Sequence, residues 1–206
     1  VAHLVRDLRV PASKVLAITF TNKAAREMRT RIEEWVPHTG MWVGTFHATC
    51  ARMLRIDADR IGRTRDFTIF DVDDRRRLLR QLIKDQSLDP KVFRPRRFEN
   101  IISNWKGRSL MPIGAKAEAA LMGMEEEHAA TVYELYEAEL AKQDALDFDD
   151  LLLKGVQLLQ LDSDSTRRWV EKFEHILVDE YQDTNDLQYK FVKLLAQGTK
   201  HVAVCG

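Results

Sequence analysis

With 206 residues, 45% of them hydrophobic, and a formal net charge of zero, the chain can bury one sizeable core, or one core and a small satellite. A neutral total excludes any argument from overall charge to a polyanionic partner. No apolar run is long enough to span a membrane as a helix, and no secretory signal is visible. The charge is nevertheless uneven. Residues 52–108 hold 16 basic and 9 acidic side chains, whereas residues 118–150 hold 11 acidic side chains and one lysine. A basic stretch of this kind can gather polyanions locally, and two solvated helical faces would read the same way. Cys50 and Cys205 lack metal spacing and read as free thiols of a reducing compartment. Both ends look cut: Val1 is not an initiating Met, and Cys205-Gly206 follows directly on a strand-like run.

In chain order, Val15-Leu-Ala-Ile-Thr-Phe20 reads as a short strand buried on both faces. Asn22 is the expected cap of a helix from Lys23 to about Trp35, and Pro37 and Gly40 close that unit. Met41-Trp-Val43 is a second strand, and Thr45-Phe-His47 leads into a helix through about Ile56. Strand, helix, strand, helix implies α/β layering. Phe67-Thr-Ile-Phe70 is a brief extended segment, followed by Asp71 as N-cap with Asp74 completing an imperfect capping box. From there to about Asp162 the chain reads as helical, with breaks near Pro90, Pro95 and Pro112. Leu121, Met124, His128, Val132, Leu135 and Tyr136 recur at helical spacing and are expected in the core, His128 at its margin. Residues 68–145 therefore read as a helical insertion between residues 1–67 and 146–206, where strands at 175–178 and 201–204 resume the α/β pattern around a helix after Thr184.

Chemistry concentrates in His175-Ile-Leu-Val-Asp-Glu-Tyr-Gln-Asp-Thr184. A buried strand would present Asp179 and Glu180 at its C-terminal tip, where open parallel sheets carry their sites. One carboxylate there can hold Mg²⁺ through water and the other can polarise an attacking water, a pairing suited to nucleotide hydrolysis. Gln182 can sense a terminal phosphate through its amide, while Asp183 and Thr184 suit capping of the next helix. No G-x-x-x-x-G-K-[ST] occurs in these residues, so the phosphate cradle is missing from them. Phe20, Thr21 and Asn22 sit at another strand end, where helix N-terminal amides and short polar side chains hold phosphates and an exposed Phe20 would stack on a base. Gly44-Thr-Phe-His47 repeats the design one unit later.

Taken together, these segments resemble the superfamily 1 DNA helicases of the UvrD/Rep/PcrA type. Thr19-Phe-Thr-Asn-Lys-Ala-Ala-Arg-Glu-Met28 is similar to motif Ia of that family, and Gly44-Thr-Phe-His-Ala48 to motif Ib. Phe67-Thr-Ile-Phe-Asp71, Leu146-Asp-Phe-Asp-Asp-Leu151 and Val178-Asp-Glu-Tyr-Gln-Asp-Thr-Asn185 follow in the family's order, and Val202-Ala-Val-Cys-Gly206 resembles the opening of motif III. The resemblance implies a partial RecA-like parallel sheet of the P-loop NTPase class (domain 1A), interrupted by a helical domain (1B). It implies an ATP-dependent 3′→5′ helicase with ATP and Mg²⁺ as cofactors, used in bacterial DNA repair or replication, with single-stranded DNA and DNA junctions as partners.

Carried over residue by residue, Asp179 would coordinate Mg²⁺, Glu180 would activate the hydrolytic water and Gln182 would couple nucleotide state to DNA. Phe20, Thr21, Asn22, Thr45, Phe46 and His47 would line the single-strand path. Asp147 and Asp149 would be structural or coupling groups. These residues lack the family's Walker A lysine, its upstream adenine-binding glutamine and the arginine finger of a second RecA-like domain, so the chain by itself is expected to be inactive. The competing readings are the motor of a recombination helicase–nuclease and a helicase-derived, non-catalytic DNA-binding module.

Overall fold

A computed structural model describes residues 1–36, 40–161, 163–199 and 201–206. Pro37 and Asp162 lie outside the described residues. The chain forms two compact units, one of residues 1–57 with 154–206 and one of residues 58–153.

The first unit is a parallel sheet in the order β2-β1-β5-β6. Its strands are β1 (Val15–Thr19), β2 (Trp42–Thr45), β5 (His175–Val178) and β6 (His201–Val204). All five residues of β1 are buried, as expected for an interior parallel strand with neighbours on both sides. Helix α1 (Ala2–Arg6) precedes it, and α2 (Asn22–Glu33) and α3 (Phe46–Ile56) follow the first two strands. The junctions are short and each helix is capped by a threonine: Thr45 both ends β2 and caps α3, whereas Phe20 and Thr21 follow β1 and Thr21 caps α2. Thr21 Oγ1 accepts from the Ala24 N–H at 3.1 Å, and Thr45 Oγ1 accepts from the Ala48 N–H at 3.2 Å. Thr21, not Asn22, is therefore the cap of α2. Its extended backbone (φ −115°, ψ 149°) aims the hydroxyl at the amides, whereas Asn22 already lies in the helix.

The second unit holds β3 (Thr68–Phe70), α4 (Val72–Asp85), α5 (Pro95–Gly107), α6 (Pro112–Ala119), α7 (Met124–Lys142) and β4 (Ala145–Asp147). Asp71 caps α4 with Asp74 completing the box, as the sequence indicates. Pro95 and Pro112 start their helices, at positions where a missing N–H costs nothing. The helical reading of residues 71–162 fails at β4, which pairs in parallel with β3. A three-residue strand is too short to show a period, and the positive φ of Asp144 (47°) turns the chain out of α7 into it. The core of this unit includes Leu79, Phe98, Trp105, Val132, Tyr133 and Tyr136. Leu121 and Met124 are exposed rather than core, because α7 starts only at Met124 and its first turn lies beyond the buried stripe. His128 sits at the margin with its ring edge-on to Phe93. Helix α8 (Phe148–Gln160) begins in this unit and returns the chain to the first, where α9 (Asp164–Lys172) and α10 (Asp186–Leu195) follow.

Candidate functional site

Strand register brings the predicted site residues to one edge. Thr19 lies opposite Thr45, and Ile18 opposite Val178, so the C-terminal tips of β2, β1 and β5 are consecutive neighbours. Residues 20–22, 45–47 and 179–182 extend directly from those tips.

At the tip of β5, the Asp179 N–H still donates to the Ile18 carbonyl at 2.9 Å, fixing its backbone to β1. Glu180 then adopts the left-handed region (φ 51°, ψ 43°), which turns the chain sharply off the sheet. A non-glycine residue there costs on the order of 1 kcal/mol or more, and such outliers cluster at functional sites. Glu180 is exposed, and its carboxylate accepts from the Gln182 amide at 2.6 Å. A short 3₁₀ turn over Tyr181–Asp183 follows. Helix α10 is capped by Asn185 in a full capping box with Gln188, so neither Asp183 nor Thr184 is the cap. The turn already engages both: the Asp183 N–H donates to the Glu180 carbonyl, and the Thr184 hydroxyl donates to the Tyr181 carbonyl.

The sequence reading missed the part played by Cys205 and Gly206. Val204 pairs with Val178, which places Cys205 across from Asp179, and its thiol donates to Asp179 Oδ1 at 3.2 Å. That bond, with partial burial, raises the thiol above its ordinary pKa. The Tyr181 N–H donates to the Cys205 carbonyl at 2.9 Å, tying the turn to β6. A side chain on Gly206 would meet the amide end of Gln182, which would have to shift aside. Parallel pairing of two strands with tips of equal length is the signal that would have located both residues.

The fit to a divalent cation follows from these donors. Mg²⁺ keeps several waters and takes one or two carboxylates together with substrate phosphates. One half-buried strand-end carboxylate beside a second exposed one suits that demand. Among the described residues no group of three or more His, Cys, Asp or Glu side chains forms a self-sufficient metal cage. A cleft of about 560 Å³ opens beside Asp179, lined by Ala17, Ala24, Leu177, Ala203 and Cys205.

The other two tips divide by exposure. Thr21 and Asn22 are exposed, and Phe20 and His47 are partly so. Thr45 is 7% exposed with its hydroxyl engaged in the α3 cap. Phe46 is 1% exposed and packs edge-on against Phe20 at 5.4 Å and Phe191 at 6.5 Å. Phe46 therefore belongs to the core and offers no face to a strand of DNA. As the first residue of α3 it points back onto the sheet, and the ring left at the surface is Phe20.

Asp147 and Asp149 belong to the second unit. Lys106 is fully buried there, with its ammonium 2.6 Å from Glu137, 2.9 Å from Asp147 and 2.8 Å from Asp150. Arg75 reaches Asp147 and Asp149, Tyr136 donates to Asp147 at 3.0 Å, and the Ser103 hydroxyl donates to Asp149 at 2.6 Å. Burial opposes the charge on Lys106, but the three carboxylates outweigh it and hold the ammonium well above its ordinary pKa. Burial likewise pushes Asp147 up, and Lys106 and Arg75 overcome it, so Asp147 sits below the usual carboxylate value. These acids act on protein cations, which is a structural arrangement.

Comparison with known proteins agrees with this geometry. The family described as UvrD/REP helicase N-terminal domain matches residues 1–206. The chain is 43% identical over 208 aligned residues to the ATP-dependent DNA helicase PcrA of Staphylococcus aureus, covering all of this chain and 28% of that protein. It is 42% identical to the PcrA helicase of Staphylococcus epidermidis with the same coverage. The chain thus spans about 28% of the length of these curated relatives. The fold is α/β, a parallel sheet consistent with a RecA-like P-loop NTPase core and interrupted by a substantial helical insertion. On the family match along its whole length, the chain belongs to the UvrD/REP helicase N-terminal domain family.

Proposed function

We propose that this chain supplies the carboxylates of the ATP site and part of the single-stranded DNA track of an ATP-dependent 3′→5′ DNA helicase used in bacterial DNA repair or replication. The observation that carries the reading is the placement of Asp179 and Glu180 on the same sheet edge as Phe20 and Asn22, at the tips of the two adjacent strands β5 and β1. Residues 1–67 and 146–206 correspond in this reading to domain 1A, and residues 68–145 to domain 1B.

Asp179, fixed to β1 through its own N–H, is the carboxylate that would hold Mg²⁺. The cation, when bound, offsets the negative charge of the phosphates. Glu180 takes the proton of the attacking water. Its left-handed backbone directs the carboxylate off the sheet, and the Gln182 amide orients it. Because the Tyr181 N–H is tied to the Cys205 carbonyl, a change at the Glu180–Gln182 turn also reaches the segment that follows β6. Phe20 stacks on a base, while Thr21 and Asn22 at the start of α2 address the phosphate backbone of a single strand. Use of the protein at the nucleoid in the bacterial cytoplasm, at DNA junctions and beside repair or replication proteins belongs to the same reading.

The test is Glu180→Gln in the full-length parent. The amide keeps the shape but takes no proton, so single-turnover hydrolysis should fall by about 10²–10⁴-fold while nucleotide affinity holds. Asp179→Ala should instead weaken the Mg²⁺-dependent part of nucleotide binding. Near-normal hydrolysis by Glu180→Gln would remove Glu180 as the base.

A further inference from the structure

The first unit carries a second concave feature, at the end of the sheet opposite to Asp179. It is a groove of about 760 Å³ lined by Lys14 just before β1, Ile56 at the end of α3, and Asp164, Arg167, Arg168, Glu171 and Lys172 of α9. Its cations are unequally matched. Arg168 is committed to buried Asp57, which also accepts from the Trp169 ring N–H. Arg167 pairs with Asp164 at 3.3 Å and Lys14 with Glu174 at 3.5 Å, both at exposed positions where such pairs are weak. Lys172 makes no ion pair within 4.0 Å among the described residues, and neither does Arg52 beside it.

Lys172 and Arg52 share one aromatic ring. The Arg52 guanidinium lies 3.9 Å from the Trp42 centroid and the Lys172 ammonium 5.3 Å from it. The ring's electron-rich faces draw both cations in, but they do not cancel the repulsion between them. Partial burial first, and then Arg52, Lys14 and Arg168, push the Lys172 ammonium below its ordinary pKa. An arriving carboxylate would relieve this cluster.

We propose that this groove binds an acidic peptide segment of a protein partner, with its carboxylates at Lys172 and Arg167 and an apolar side chain on Ile56. Three observations favour a peptide over a nucleic acid. Trp42 and Trp169 are 5% and 2% exposed, so no aromatic face is free to stack on a base. Ile56, 42% exposed, gives the groove an apolar foothold that a phosphate backbone cannot use. Asp164 and Glu171 punctuate the cations and would repel a continuous row of phosphates, whereas a peptide can space its charges between them. The groove stands clear of the strand-tip edge, so occupancy does not compete with the chemistry proposed there.

The experiment is fluorescence anisotropy with the whole chain and a short fluorescein-labelled peptide in which glutamates flank one leucine. The expected result is saturable binding that weakens with salt and falls about tenfold in the Lys172→Gln/Arg167→Gln double variant, the loss of two partly exposed charge contacts. The charge-preserving Lys172→Arg/Arg167→Lys pair should retain it. Ile56→Ser should lower affinity without changing the salt slope. Circular dichroism on the same samples establishes that each variant is folded. Absence of saturable binding, or an undiminished affinity in the folded Gln variant, would overturn the proposal. So would displacement of the peptide by oligo-dT at lower concentration than by unlabelled peptide, which would make the groove a nucleic-acid site.

Discussion

Replacing Lys106 by methionine tests the buried cluster of the second unit. The side chain keeps nearly the same volume and loses one charge. Lys106 and the Asp147 and Asp150 side chains are 0% exposed, and all three carboxylates approach the ammonium within 2.9 Å. Without it, Asp147 keeps Arg75 and the Tyr136 hydroxyl, and Asp150 keeps the Asp147 N–H, but the balance of buried charge turns strongly negative. Breaking a buried pair by removing one partner costs about 3–5 kcal/mol. With a urea dependence of about 1–3 kcal/mol per molar, the midpoint should fall by at least roughly 1 M.

The pH dependence adds a second readout. The Asp147 pKa is lowered by folding, so its contribution is present above the unfolded value near 4 and is lost as pH falls through the folded value. The Lys106 pKa is raised, so its contribution is complete below the unfolded value near 10.4 and is lost only as pH rises through the folded one. Both operate at neutrality. In the variant the carboxylates that have lost the ammonium take up protons, so the deficit against the parent should shrink as pH falls toward 4. Urea titrations followed by circular dichroism across pH 4–8 measure this. A deficit under about 0.5 kcal/mol at neutrality, or one independent of pH, would refute the account, since it would place the cluster in effective contact with water.

Three further outcomes can be checked. Gly155→Ala should destabilise by about 1–3 kcal/mol despite the better helix propensity of alanine, because the new Cβ would stand 2.8 Å from Cys50 Sγ; thermal melts should show Cys50→Ala relieving the loss. Phe20→Ala should weaken single-strand binding by about 1–3 kcal/mol with little change in salt slope, since it removes a stacking face and no charge; unchanged anisotropy titrations with a folded variant would take Phe20 off the track. The 206-residue chain by itself should release no phosphate from ATP, with or without DNA, because it contains no phosphate-cradling loop to position the triphosphate. DNA-stimulated turnover abolished by Glu180→Gln would overturn that expectation.

Much of the sheet was legible in the sequence because its signals are local. Val15–Thr19 and His175–Val178 are short apolar runs ending in polar residues, and such a run states both a buried strand and the position of its tip. Asp71 with Asp74 announced a helix start through four consecutive residues. The order of the motifs along the chain was likewise enough to suggest a helical insertion within an α/β frame. What the sequence left open turns on which way a side chain points and what lies across from it. Thr21 and Asn22 are equally good caps by type, and only the backbone angle at Thr21 selects it. Phe20 and Phe46 are both aromatic residues after a strand, and only packing against Phe191 assigns Phe46 to the core. Cys205 meets Asp179 across 26 residues of sequence, and Lys106 meets Asp147 and Asp150 across more than 40. No local period encodes such pairings. They exist because strand register and helix packing bring distant segments together, and a buried charge settles where another charge can satisfy it.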